Sequence, residues 1–219
     1  MPSLIKIPYS TVEYQARFAR PVVRLIAGKA EVIQTVVDAL LPFGFKFTNL
    51  ETQGALATHR TIFRMPEKSI VFQYGADGCW FTKENSSWQT AEDDLKVLMA
   101  AEAAAVLATG CEIATRTVAV AMHLQLLETP REEILTRFTP SPFLEGLPSD
   151  YKPVQFAGVV KFSSGTMLFD YSATVANGIF VRFSADFDDK ASLHDVMAKV
   201  RKDEEFAFSM LGVQEVSNG

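Results

Sequence analysis

The chain has 219 residues, 48% of them hydrophobic, which is enough apolar material for a substantial core. Its net charge of −5 speaks against nonspecific nucleic-acid binding, which needs clustered Lys and Arg against phosphate. The acidity is uneven: residues 1–110 carry 11 basic and 11 acidic side chains, residues 111–219 carry 10 and 15. The two cysteines, Cys79 and Cys111, form no CxxC pair and no zinc spacing, which suits a reducing compartment. The N-terminal residues lack the pattern of a secretory signal, and the most apolar stretch, 97–108, is interrupted by Glu102 and is too short to span a bilayer. A cytoplasmic location without membrane attachment is therefore expected.

Residues 12–18 alternate, with Val12, Tyr14, Ala16 and Phe18 on one face and Glu13, Gln15 and Arg17 on the other, as in a half-buried strand. Val32, Ile33, Val36, Val37, Leu40 and Leu41 then recur at helical spacing, and Pro42 and Gly44 end that helix. Strands follow at about 45–52, 58–65, 69–74 and 79–83, separated by the turn signals Pro66-Glu67-Lys68 and Ala76-Asp77-Gly78. Thr90 and Asp93 form a capping pair that opens a helix to about residue 108.

The same order then begins again. Residues 118–126 read as a strand, and Thr129-Pro130-Arg131-Glu132 as a helix start with Thr129 as N-cap and Pro130 in the first position, for a helix over about 131–138. A Pro-rich loop at 140–153 precedes strands at 155–162, 167–174 and 179–185, with Asn177-Gly178 marking a tight hairpin turn. A closing helix runs over 192–210, and residues 214–219 read as a frayed tail. The expectation is an α+β fold built from a duplicated strand–helix–(3–4 strand)–helix unit, residues 1–112 and 113–219, forming one pseudo-two-fold domain. Its sheet is mainly antiparallel, with helices on one face. In order of elements the unit resembles the half-domains of the TATA-binding-protein-like fold and, more loosely, the helix-grip folds. The resemblance implies a shape and carries no site residue.

If helices cover one face, alternation sends six basic side chains to the other: Arg17, Arg60, Arg64, His123, Lys161 and Arg182. They form a candidate cradle for an anionic small molecule or an acidic protein surface, against the plainer reading of a solvated sheet face. The strands of the second repeat are apolar on both faces, with Ala119, Ala121, Val159, Leu168 and Phe180 pointing outward. Apolar residues there call for a cover, either a homodimer partner, the 140–153 loop or an apolar ligand.

No cofactor or metal signature is present, and no residues are assigned as catalytic. His123 with Asp170 is a conceivable acid–base pair, against an ordinary sheet histidine. Asp186-Phe187-Asp188-Asp189 lacks the spacing of a calcium loop and sits where acids favour a helix N-terminus. Ala27-Gly28-Lys29-Ala30 lacks the residues of a phosphate loop, and Trp88 reads as a contact residue or a staple onto the next helix. The leading expectation is a non-enzymatic binding or assembly module that dimerises. The alternatives are an enzyme acting on a small anionic substrate with His123 as acid or base, and, more weakly, a nucleic-acid binder.

Overall fold

The computed structural model of the chain describes residues 2–22, 30–55, 58–86, 91–138, 157–162, 165–187 and 192–216, without the side chains of residues 91 and 92. The fold is α+β, with a ten-stranded, mainly antiparallel sheet. In chain order the elements are β1 (Ser3–Phe18), α1 (Ala30–Leu40), β2 (Leu50–Gln53), β3 (Arg60–Met65), β4 (Ile70–Gly75), β5 (Gly78–Glu84), α2 (Ala91–Thr109), β6 (Ile113–Leu126), α3 (Arg131–Thr136), β7 (Gly158–Lys161), β8 (Thr166–Tyr171), β9 (Gly178–Phe187), α4 (Leu193–Leu211) and β10 (Val213–Glu215). The strand order is β2-β3-β4-β5-β1-β6-β9-β8-β7, with β10 parallel to β1. Both edge strands, β2 and β7, are four residues long. Short edges limit the row of unpaired backbone groups open to strand addition. Among the described residues no helix is long and apolar enough to cross a membrane.

The chain divides into two compact units, neither a continuous stretch of sequence. Unit 2 comprises Thr11–Ala119 and Asp186–Val196. Its core forms where alternation in the strands meets helical periodicity. Tyr14, Ala16 and Phe18 from β1 join Phe63, Phe72, Tyr74 and Phe81 from β3, β4 and β5, under Val36 and Leu40 of α1 and Leu98, Ala101 and Ala105 of α2. The alanines of α2 let its backbone lie close to its neighbours, and α1 and α2 pack together. The first strand after α1 is shorter than its apolar run implies, because Phe47–Asn49 form a 3-10 turn before β2 begins.

Unit 1 comprises Met1–Ser10, Val120–Ala185 and Met197–Gly219. Its strands point Met122, Leu124, Met167, Phe169, Val181 and Phe183 inward, as their alternation requires. Two local expectations fail here. Thr129 is not the N-cap of α3. Pro130 occupies that position without a side-chain cap, and the Thr129 hydroxyl pairs with Ser3 Oγ at 2.8 Å. The cap comes from the Asn-Gly turn instead, as Asn177 Oδ1 accepts the Arg131 N–H at 2.9 Å. Its amide Nδ2 donates to the carbonyls of Leu126 and Thr129 at 3.1 and 3.0 Å. The second failure is the tail. Gly212, at φ +66°, reverses the chain out of α4, and residues 213–215 pair with Ser3, Leu4 and Ile5 rather than fraying. α4 itself opens on Ser192, whose Oγ accepts the Asp195 N–H at 3.1 Å.

Asn177 holds three hydrogen bonds from a left-handed backbone at φ +51°. Asn177→Ala is expected to cost about 2 kcal/mol and lower Tm by about 4–8 °C, whereas Asn177→Gly, which relieves the backbone strain, should cost less. Thermal and urea unfolding of the two variants measure both quantities.

Candidate functional site

The six basic residues divide equally between the two units, and each trio belongs to the face its alternation predicts. In unit 2, Arg17, Arg60 and Arg64 share a pleat of the sheet with Gln15, Ile62, Gln73 and Trp80. Arg17 is exposed at the end of β1. Arg64 is a fork onto Glu51, with Nε and Nη2 at 2.9 and 3.4 Å from the two carboxylate oxygens. Arg60 pairs with Asp77 at 3.1 Å, and its Cζ stands 4.4 Å from the centre of the Trp80 ring. Ile62, between the two arginines on the same strand and pleat, is only 5% exposed. The long polar side chains around it take the place of a protein cover. Arg60 and Arg64 thus carry counter-ions of their own, which alternation alone could not reveal.

In unit 1 the open face carries His123 on β6, Lys161 on β7 and Arg182 on β9. Val159, Leu168 and Arg182 form one cross-strand row, and Asp170 and Phe180 the pair beside it. Val159 is 69% exposed, Leu168 37% and Tyr9 52%. The outward-facing apolar residues expected of β7 and β8 are therefore in water among the described residues.

His123 lies against two aromatic rings, edge-on to Tyr9 at 6.3 Å and tilted against Phe180 at 5.1 Å. Its Nδ1 is 2.8 Å from Ser172 Oγ, so the carboxylate of Asp170 is not the group that orients it. The Asp170 carboxylate accepts instead from the N–H of Tyr171 at 2.6 Å. Ser172 Oγ also accepts the backbone N–H groups of Thr174 and Val175, at 3.2 and 2.9 Å. With both lone pairs engaged, the hydroxyl must donate its proton to Nδ1, which leaves the neutral ring protonated at Nε2. Burial shifts His123 below its ordinary value of 6.5. The geometry agrees, because an added proton on Nδ1 would face an oxygen with no lone pair left. The result is a neutral imidazole offering one N–H donor.

A second polar cluster escaped the sequence. Glu102 of α2 receives the Arg116 guanidinium, with Nη2 at 2.9 Å, and the Tyr14 hydroxyl. The Glu102 and Arg116 side chains are 15% and 19% exposed. Burial, then the neighbouring Glu102 carboxylate, pushes the Tyr14 phenol far above 10, so it remains a donor. Burial likewise pushes the Cys79 thiol up, which excludes a reactive thiolate at that position. Both cysteines are free. Tyr74 is raised by burial to about 12. Thr61, its register partner, is near enough to bear on that ionisation, yet neither hydroxyl reaches a hydrogen-bond partner. Among the described residues no group of three or more acidic, His or Cys side chains is placed to hold a metal. Trp88, Thr90, Ala27, Gly28, Lys29, Asp188, Asp189 and the loop 140–153 lie outside the described residues.

No protein-family model matches the chain, and no curated protein does. Among solved structures it is similar to the regulatory subunit of aspartate kinase from Thermus thermophilus in its ligand-free form, at 10% identity over 92% of this chain and 96% of that one, with a TM-score of 0.20. It is also similar to the PH1819 protein of Pyrococcus horikoshii OT3, at 9% identity over 96% of this chain and 80% of that one, again with a TM-score of 0.20. At these scores neither likeness carries an argument about this chain.

His123 is expected to titrate below pH 6.5 in the folded chain. A depressed value means that the unfolded state takes up this proton first. The contribution to stability is thus present above pH 6.5 and lost as pH falls through the folded value. NMR titration of the three histidines measures it, with Ser172→Ala expected to return His123 toward 6.5.

Proposed function

We propose that the chain is a non-enzymatic binding and assembly module of the cytoplasm, and that it pairs with a second copy through the open sheet face of unit 1. The observation that carries this is the exposure of Tyr9, Val159 and Leu168, with Met167 and Phe169 buried on the opposite pleat of β8. Apolar side chains grouped on one face lose free energy in water and gain it against a partner, at roughly 25 cal/mol per Å² removed. The face also carries both signs of charge, Lys161 and Arg182 with Asp170.

Two further readings belong with this one. The strand order supports an internal duplication: β3-β4-β5-β1 and β7-β8-β9-β6 are successive strands in corresponding order from each side of the sheet. That order is also what a pseudo-two-fold, TATA-binding-protein-like arrangement of half-domains requires. The free state of both cysteines supports a reducing compartment. The reading as an enzyme has less behind it, since His123 is oriented by a hydroxyl that already accepts two N–H groups and has no carboxylate behind it.

Sedimentation equilibrium tests the proposal. The protein is expected to be a dimer at micromolar concentration, and Leu168→Glu to weaken the dimer by about tenfold or more while leaving Tm nearly unchanged, because Leu168 is outside the core. A wild-type chain that stays monomeric at all concentrations would overturn it.

A further inference from the structure

Unit 2 presents a different kind of surface, independent of the self-association above. Arg17 on β1, Gly78 on β5, Gly75 on β4 and Arg60 on β3 are register partners in one cross-strand row. Three interstrand spacings of ~4.8 Å separate the two arginine backbones. The two positions between them have no side chain.

Arg60 is laid across this gap. A methyl group on Gly75 would collide with its guanidinium, so only glycine there permits the pose. Three partners hold it: the Trp80 ring at 4.4 Å, Asp77 at 3.1 Å, and the His59 carbonyl, which accepts from Nη1 at 3.1 Å. Arg17 is tethered from the other end. With the Gln15 amide turned so that its oxygen meets both donors, that oxygen accepts from Arg17 Nε at 3.2 Å and from Trp80 Nε1 at 3.1 Å. Trp80 thus touches Arg60 through its ring and shares the Gln15 oxygen with Arg17 through its indole N–H.

We propose that Arg17 and Arg60 clamp the phosphate group of a small phosphomonoester between them, along the row they share with Gly75 and Gly78. Guanidinium forks match phosphate oxygens, and two of them favour a dianion over a singly charged carboxylate. The Asp77 carboxylate, on the exposed side of Arg60, holds that side chain in place and is the group the ligand must compete with. An exposed pair of this kind is weak enough to yield.

The chain has two tryptophans, so Trp88→Phe leaves Trp80, beside the clamp, as the sole tryptophan, read selectively by excitation at its red edge. This full-length variant is titrated with inorganic phosphate, with phenyl phosphate and with acetate. A saturable change in Trp80 emission is expected with both phosphates, with acetate weaker by about tenfold or more. Arg17→Gln, on an exposed side chain, is expected to weaken phosphate binding by about tenfold, and Gly75→Ala to do the same by displacing Arg60. If Gly75→Ala does not fold, Arg17→Gln decides alone. No saturation with millimolar phosphate, equal binding of acetate, or unchanged binding by Arg17→Gln would each overturn the proposal.

Discussion

A carboxylate drawn mostly out of water must be matched, and Glu102 is matched twice. Arg116 meets one of its oxygens and the Tyr14 hydroxyl the other. These three side chains come from α2, β6 and β1, so one charge cluster ties the helix of unit 2 to two of its strands. The alanines at 101, 104 and 105 make this arrangement possible, because they allow α2 to pack tightly while Glu102 spans to the sheet. Removing Arg116 would leave the Glu102 carboxylate with the Tyr14 hydroxyl alone, at a cost of order 3 kcal/mol. Apolar packing supplies most of the stability of unit 2, and this cluster fixes where α2 sits along the strands.

Committing one pleat of each strand to the core leaves the opposite pleat to find its own solution, and the two units differ in how they do so. In unit 2 the open pleat is covered by its own long polar side chains. Arg64 folds onto Glu51, Arg60 onto Trp80 and Asp77, and Ile62 is buried among them. In unit 1 the open pleat keeps Val159 and Leu168 in water on β7 and β8, and Tyr9 against a neutral His123. The first solution is complete and sets cations in fixed positions, which suits a small anion. The second is incomplete, which suits a macromolecular partner. The two proposals rest on this difference and stand independently.

Strand alternation was the most legible feature of the sequence. It placed Tyr14, Ala16 and Phe18 inward and Arg17 outward, and did the same for Met122, His123 and Leu124. It also marked Val159 and Leu168 as outward-facing. What escaped were contacts between residues distant in sequence. Arg60 and Arg64 have the right facing, yet their counter-ions, Asp77 and Glu51, come from neighbouring segments of the sheet that register alone brings together. His123 looked toward Asp170, but Ser172, two residues further on, turns its hydroxyl to the ring because a local turn fixes it there. Thr129 carries every local mark of an N-cap and loses that role to Asn177, 48 residues away, because Ser3 engages its hydroxyl. Gly78 read only as part of a turn signal and Gly75 went unread, with nothing in the sequence to mark the space over Gly75 as the seat of an arginine.

The central claim is that the open face of unit 1 is a surface for another molecule of the chain. Met99 and Leu107 on α2 are also exposed, at 59% and 79%, and provide an internal reference for isolated apolar side chains that need no partner. The most direct measurement is the accessibility of methyl groups to a soluble paramagnetic probe, followed by NMR as the protein is diluted. The account predicts that the Val159 and Leu168 methyls are protected at high concentration and become accessible on dilution, while Met99 and Leu107 stay accessible throughout. Val159 and Leu168 methyls as accessible as those of Met99 and Leu107 at every concentration would contradict it.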